Sequence, residues 1–188
     1  MASLPTLGGA WRSAREALSF SSTRVRHDTG VHLHRIDRYS KVDGMALPGE
    51  CIDSAPFRAG GHEWQLLYYP NGANDYSRSS HGRVSVDLRL RPGPWWRLFY
   101  DPQDVTAAYT VSVLDADGNQ VVSKAVKPHR FGSCWSRAGI EDVATAEKLR
   151  SALQGVKEDG LIVRCDVTVI NLEKESRIKW YLRQLVKE

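Results

Sequence analysis

The stretch VSVDLRLR, residues 84–91, alternates apolar and polar side chains without interruption. Successive residues of a strand point to opposite faces, so this period of two predicts a β-strand with one face in a hydrophobic core. Turn residues rich in Gly, Pro and Asn punctuate the chain on both sides of it. Together they predict an all-β fold, an antiparallel β-sandwich. Further strand-like segments lie at residues 31–36, 63–69, 109–114 and 161–170, and a hairpin turn is expected at 115–119.

Two segments depart from this period. Residues 141–154 carry apolar side chains at helical spacing and predict one short helix across one end of the sheets. Residues 172–188 predict an amphipathic, basic tail helix, which docks on the sandwich, binds a partner or touches an anionic membrane. Residues 1–22 are interpreted as a flexible N-terminal extension, with an organelle transit peptide as the alternative. One domain is therefore expected over residues 23–171.

Length and composition exclude several classes of protein. The chain has 188 residues, of which 41% are hydrophobic and 26% charged, values typical of a globular domain. No apolar run reaches the ~20 residues of a membrane span, and no signal peptide is evident. The net charge of +4 lies in the two ends, because residues 31–170 are balanced. A nucleic-acid-binding face would concentrate that charge on the folded domain, so none is expected.

The sequence shows no assembled catalytic or metal site. Its three cysteines are scattered and lack CxxC spacing, which favours free thiols in a reducing compartment, the cytoplasm and/or the nucleus. His32 and His34 share a strand face but have no third ligand at usual spacing. Cys134 near His129 is a weak nucleophile–base alternative. We expect no enzyme, no cofactor and no metal ion.

Aromatic residues near the end of the predicted domain are more informative. Trp95 and Trp96 follow a Pro-Gly-Pro turn and are expected to cap the core. Trp135 stands in a short loop close to basic residues, a composition typical of protein-recognition hot spots. The neighbours of Trp135 that we include in the candidate site are Arg130, Phe131 and Arg137.

These features, taken in order, resemble the MATH (meprin and TRAF homology) domain, most closely that of plant, and especially grass, MATH–BTB proteins. The resemblance covers about residues 21–170. Each motif is weak alone, but they occur in the order of the family. The motifs are HLHRIDRYS (32–40), SAPFRAGGHEW (54–64), YPNG (69–72), VSV (84–86), VLD (113–115), GSCW (132–135) and LIVRCDV (161–167).

The resemblance implies a TRAF-like sandwich that binds a short extended peptide of another protein, as in substrate recruitment by cullin-based ubiquitin ligase adaptors. It places the peptide groove at Asp87, Tyr109, His129, Trp135 and Arg137. The family usually has aromatic residues at all five positions, and this chain keeps them only at Tyr109 and Trp135. We therefore expect either a groove with a charged or hydrogen-bonding preference or a lost groove. Trp135→Ala is expected to weaken a groove ligand by about 2 kcal/mol.

The chain also departs from the pattern of MATH–BTB proteins in its tail. Eighteen residues follow residue 170, and no BTB domain is evident in them. From the sequence we expect a lone MATH module. The alternative functions are a competitor of full MATH–BTB adaptors and a self-associating scaffold assembled through the tail, so the expected partners are substrate peptides, MATH–BTB proteins or a second copy.

Overall fold

The computed structural model describes residues 22–73, 82–92, 104–132, 136–154 and 156–175. The residues it describes form nine strands and two helices. In chain order these are β1 (Ser22–Asp37), α1 (Tyr39–Met45), β2 (Ile52–Asp53), β3 (Phe57–Ala59), β4 (His62–Tyr69), β5 (Arg83–Leu90), β6 (Val105–Asp115), β7 (Gln120–Phe131), β8 (Arg137–Thr145), α2 (Ala146–Leu153) and β9 (Gly160–Glu175).

The strands form two sheets, which confirms the predicted β-sandwich. The first sheet has the order β1-β9-β6-β7, and the second has the order β2-β4-β5-β8 with β3 paired to β4. Strands β4, β5 and β8 are antiparallel neighbours, as are β6, β7 and β9. Core contacts join the sheets: the Trp64 and Phe131 rings meet edge to face with centroids 5.0 Å apart.

Strand β5 shows why the opening stretch forms the centre of the fold. Val84, Val86 and Leu88 are fully buried in the core, as the alternation predicted. On the opposite face, Ser85 and Asp87 are buried as well, so this part of the strand is covered on both faces. The prediction of a half-buried strand was therefore wrong for this outer face.

The predicted hairpin is present between β6 and β7. The Asp115 carboxylate accepts hydrogen bonds from the Asn119 backbone N–H (2.7 Å) and from Asn119 Nδ2 (2.9 Å). These bonds lower the pKa of Asp115. Gly118 has a φ of 88°, which favours glycine. The Asp-rich stretch is thus a side-chain-capped turn.

Helix positions differ from those predicted. Residues 141–145 belong to β8, and the helix occupies only Ala146–Leu153. Thr145 sets this boundary because its Oγ1 accepts a hydrogen bond from the Lys148 backbone N–H, an N-cap. Helix α1 was not predicted. It is joined to α2 by an ion pair between Asp43 and Arg150.

The chain divides into two units, Met1–Arg26 with Leu172–Glu188, and His27–Asn171. In the first unit, Arg26 pairs with Glu173. Strand β9 continues to Glu175, so the predicted tail helix is wrong for residues 172–175. The remaining helix prediction, residues 176–188, and the predicted extension over 1–21 lie outside the described residues. The described residues of the candidate site all belong to the second unit.

Candidate functional site

Two of the predicted groove positions, Asp87 and Arg137, meet on the outer face of the second sheet. The β5–β8 register places Asp87 directly opposite Gly139 and Arg89 opposite Arg137. Because residues two apart in a strand share a face, Asp87, Arg89 and Arg137 all lie on the side away from the core. On the neighbouring strand β4, Leu67 lies directly opposite Asp87 and is fully buried.

The Asp87 carboxylate lies over the backbone of Gly139. A Cβ atom built on Gly139 would stand 1.9 Å from Asp87 Oδ1 and 2.8 Å from its Cγ. Any other residue at this position would displace the Asp87 carboxylate. Burial raises the pKa of Asp87, and the nearby charges of Arg137 and Arg89 act in the opposite direction.

Asp87 and Gly139 line a recess on the outer face, and Arg137 forms the exposed rim above it. Its Nε lies 3.8 Å from Asp87 Oδ2, an ion-pair distance that is too long for a hydrogen bond. Its Nη1 lies 3.5 Å from the Tyr69 hydroxyl oxygen. The side chain is 59% exposed, so most of its donors face solvent.

Sequence reasoning missed two members of this site. Gly139 could have been found because an isolated glycine within a strand often marks a close approach of another group. Tyr69 is buried on the outer face, and burial raises its pKa to about 12. Tyr69 alternates with Leu67 in β4, so the two share a face. This pattern was a weaker sequence signal for the site, because both faces of that strand carry apolar residues.

The edge of β8 that faces away from β5 presents main-chain N–H and C=O groups at the site. Leu90 N–H donates to the Ser136 carbonyl (2.9 Å), which identifies that opposed pair as hydrogen-bonded. Antiparallel pairs alternate, so Arg137 and Gly139 belong to non-hydrogen-bonded pairs. Their N–H and C=O groups point away from β5. Within the described ranges no strand pairs with this edge.

Tyr109 supports the site from behind and does not line it. Its ring belongs to the core, and its hydroxyl donates to the Ala138 carbonyl oxygen (2.8 Å). Burial by the apolar core raises the pKa of Tyr109, and its hydrogen bond makes the residue a brace between β6 and β8. Its contact with a peptide stays a prediction.

The other predicted site residues lie near the end of β7. Phe131 is fully buried and packs against Trp64, and its role as a peptide contact stays a prediction. His129 meets the Phe131 ring edge to face at 5.0 Å. Arg130 is exposed and pairs with Asp104. Trp135 and Cys134 lie outside the described residues.

His32 and His34 lie half-buried on β1 on the same face as Ile36, as predicted. The His32 ring stacks on Phe57 with centroids 4.4 Å apart. Burial lowers the pKa of both imidazoles. In the part of the chain that the structure describes, no group of three or more metal-ligating side chains is present. Neither described helix is long and apolar enough to span a membrane.

Comparison with known proteins identifies related chains. The family model described as the MATH domain matches residues 31–167. BTB/POZ and MATH domain-containing protein 3 of Arabidopsis thaliana is 25% identical over 188 residues, covering 92% of this chain and 41% of that protein. Protein 4 of the same name and organism is 28% identical over 156 residues, covering 75% of this chain and 30% of that protein. This chain thus spans less than half the length of either relative.

A solved structure shows the same fold. The chain of Notothenia coriiceps TRAF5 matches with a TM-score of 0.50 and 24% identity, covering 73% of this chain and 72% of that one. The likeness agrees with the two-sheet arrangement described above.

Proposed function

The chain belongs to the MATH domain family, and on that premise we propose that it is a non-catalytic module that binds an extended peptide segment of another protein. The observation that carries this proposal is the outer edge of β8. Arg137 and Gly139 direct main-chain donors and acceptors outward there, beside a polar recess. Strand addition at such an edge supplies affinity through main-chain hydrogen bonds and specificity through side-chain pockets.

The proposed binding mode assigns a role to each part of the site. The peptide backbone pairs with Arg137 and Gly139, and alternate peptide side chains point to the outer face. Arg137 contacts those side chains from the rim, and Asp87 lies in the recess beneath. Tyr109 holds Ala138, and through it the edge, in place. By resemblance, Trp135 and His129 continue the groove, and Arg130 is included as a neighbour of Trp135 in the chain.

Among the described residues, two buried reactive groups support the absence of catalysis in this proposal, and the exposed thiol of Cys51 also has a raised pKa. Cys165 is fully buried, and burial raises the pKa of its thiol to about 12. Tyr69, the titratable hydroxyl closest to the recess, is likewise held protonated. Such groups serve poorly as nucleophiles or bases near neutral pH.

We propose further that the module takes part in recruiting substrates to cullin-based ubiquitin ligases in the cytoplasm and/or the nucleus. The relatives named BTB/POZ and MATH domain-containing proteins support this link. The alternative is a scaffold that self-associates, or that competes with full MATH–BTB adaptors, through its C-terminal tail. Sedimentation of the chain with and without residues 176–188, a cut that leaves β9 intact, separates the two: a tail-dependent oligomer favours the scaffold.

Amide hydrogen exchange tests the binding mode. A peptide selected from an array on the full chain is added, and exchange is followed residue by residue. The outward N–H groups of Arg137 and Gly139 should become protected. The inward N–H groups of Ala138 and Ile140 are protected before and after, and serve as internal controls. Binding without protection at Arg137 and Gly139 would reject strand addition at this edge.

A further inference from the structure

The recess contains a mostly buried carboxylate. Asp87 is only 8% exposed, yet its oxygens are not among the fully buried side-chain atoms without a hydrogen-bond partner, which in the described residues are His32 Nε2 and His34 Nε2. Its nearest cation, Arg137, lies at 3.8 Å and is mostly in solvent. A mostly buried carboxylate is favourable only when it is paired and hydrogen-bonded, and the ion pair with Arg137 is too long to supply the hydrogen bond, so Asp87 retains the capacity to accept one from a ligand.

The carboxylate extends toward the proposed ligand. Asp87 is on β5, yet its Oδ1 occupies the space above Gly139 on β8. Neighbouring strands lie ~4.8 Å apart, so the oxygen is displaced by part of a strand spacing toward the outer edge. A peptide strand on that edge would therefore find the Asp87 carboxylate next to the residue that faces Gly139.

A basic side chain fits this position best. Gly139 presents no side chain of its own, so a peptide side chain on the outer face can cross it to reach Oδ1. A donor is needed, and a cation gives a stronger hydrogen bond to a carboxylate than a neutral donor does. The charges near Gly139 balance, Arg89 and Arg137 against Asp87 and Glu141, so the preference at this position is set by the group closest to Gly139, which is the Asp87 carboxylate.

We propose that Asp87 is a specificity-determining residue that selects a Lys or Arg at the peptide position facing Gly139. This inference rests on the proposed function and names the ligand class of the same site. It also gives a role to a carboxylate at a position where the resemblance implied an aromatic wall.

Binding of short acetylated and amidated peptides tests the inference. A peptide found on the array is resynthesised with Lys, Arg, Gln, norleucine or Glu at each position in turn, and binding to the full chain is measured by fluorescence polarisation. At one position the Lys and Arg peptides should bind about tenfold more tightly than the Gln peptide, the gain expected of a charged hydrogen bond. Asp87→Asn should reduce that difference to less than about twofold, the size of an exposed ion-pair effect.

The matched control is Asp166→Asn. Asp166 lies on β9 in the other sheet and pairs with Arg164, so its substitution should preserve the preference. Thermal unfolding shows whether each variant is folded; if Asp87→Asn is not, the Lys, Gln and norleucine comparison on the unsubstituted chain still decides.

The outcomes separate the two proposals. Equal binding of Lys and Gln peptides at every position, or a preference that persists in Asp87→Asn, overturns the inference while peptide binding stands. A preference for Glu overturns it in favour of recognition by Arg137. If no array peptide binds, the proposed function fails and the inference fails with it.

Discussion

The Asp87 carboxylate occupies the space that a side chain on Gly139 would fill, with Oδ1 1.9 Å from a Cβ built on Gly139. The two residues are directly opposed in the β5–β8 register. The missing side chain on the edge strand and the buried charge beside it therefore form a single structural unit.

Gly139→Ala should destabilise the fold by about 1–3 kcal/mol, since the new methyl group overpacks against Asp87. Chemical denaturation measures the change. The control is Gly44→Ala in α1, where a Cβ would meet nothing within 4 Å. That substitution should instead stabilise by about 0.5–1 kcal/mol, because alanine is the better helix former. Equal effects of the two substitutions would contradict the proposed contact.

Tyr109→Phe should lower the free energy of unfolding by about 1 kcal/mol through loss of the hydrogen bond to Ala138. It should also weaken binding of an array-selected peptide, because Ala138 lies between Arg137 and Gly139, the two residues of the proposed peptide-binding edge. Tyr68→Phe removes a comparable buried bond, to the Tyr39 hydroxyl, away from β8. It should reduce stability without changing peptide affinity. A Tyr109→Phe variant with full affinity would show that the brace is not needed for binding.

His32 and His34 should make stability depend on pH. Burial lowers the pKa of each from 6.5, while Asp53 acts in the opposite direction on His34. The unfolded chain then binds protons more readily than the folded one, so stability is fully present above pH 6.5. It should fall as the pH drops from there toward the lowered values in the folded state.

Urea unfolding at several pH values between about 5 and 8 checks this sign. The double variant His32→Gln, His34→Gln should flatten the curve in this window. Asp115 and Asp159 have pKa values lowered from 3.8, so they titrate below this pH window. A double variant with the same slope as the unsubstituted chain would exclude the histidines as the cause.

Arg150→Met should destabilise the pair of helices by about 1–3 kcal/mol, because it leaves the buried carboxylate of Asp43 without its partner. The comparison variant is Arg164→Met, which breaks an ion pair on the open surface of the first sheet. Its cost should stay below about 1 kcal/mol, as is usual for exposed pairs. Similar costs measured by denaturation would contradict the distinction.

Prediction succeeded where the signal is local. The alternation around Val86 and Cys165 identified the central strands, since burial on one face selects apolar residues at every second position. The helix boundary was wrong because residues 141–145 pair with β5, and an amphipathic pattern does not reveal a partner strand. In the same way, β9 continues past the predicted boundary beside its neighbour β1.

For the site, the sequence identified Asp87 and Arg137 through a family resemblance but not Gly139 or Tyr69. Phe131 was included in the candidate site as a neighbour of Trp135 in the chain, and the structure places it in the core. Adjacent strand residues face opposite sides, so closeness in the chain says little about which side chains share a surface.

The sequence by itself determined five of the strands, the β-sandwich fold and the family, because a period of two and a series of ordered motifs can be seen without knowing which strands pair. Only the tertiary structure decided that Asp87 reaches across Gly139 and that Tyr109 braces the edge from within. Those relationships depend on the register between strands that are distant in the chain and on the packing of one sheet against the other, and neither is a local property of the residues involved.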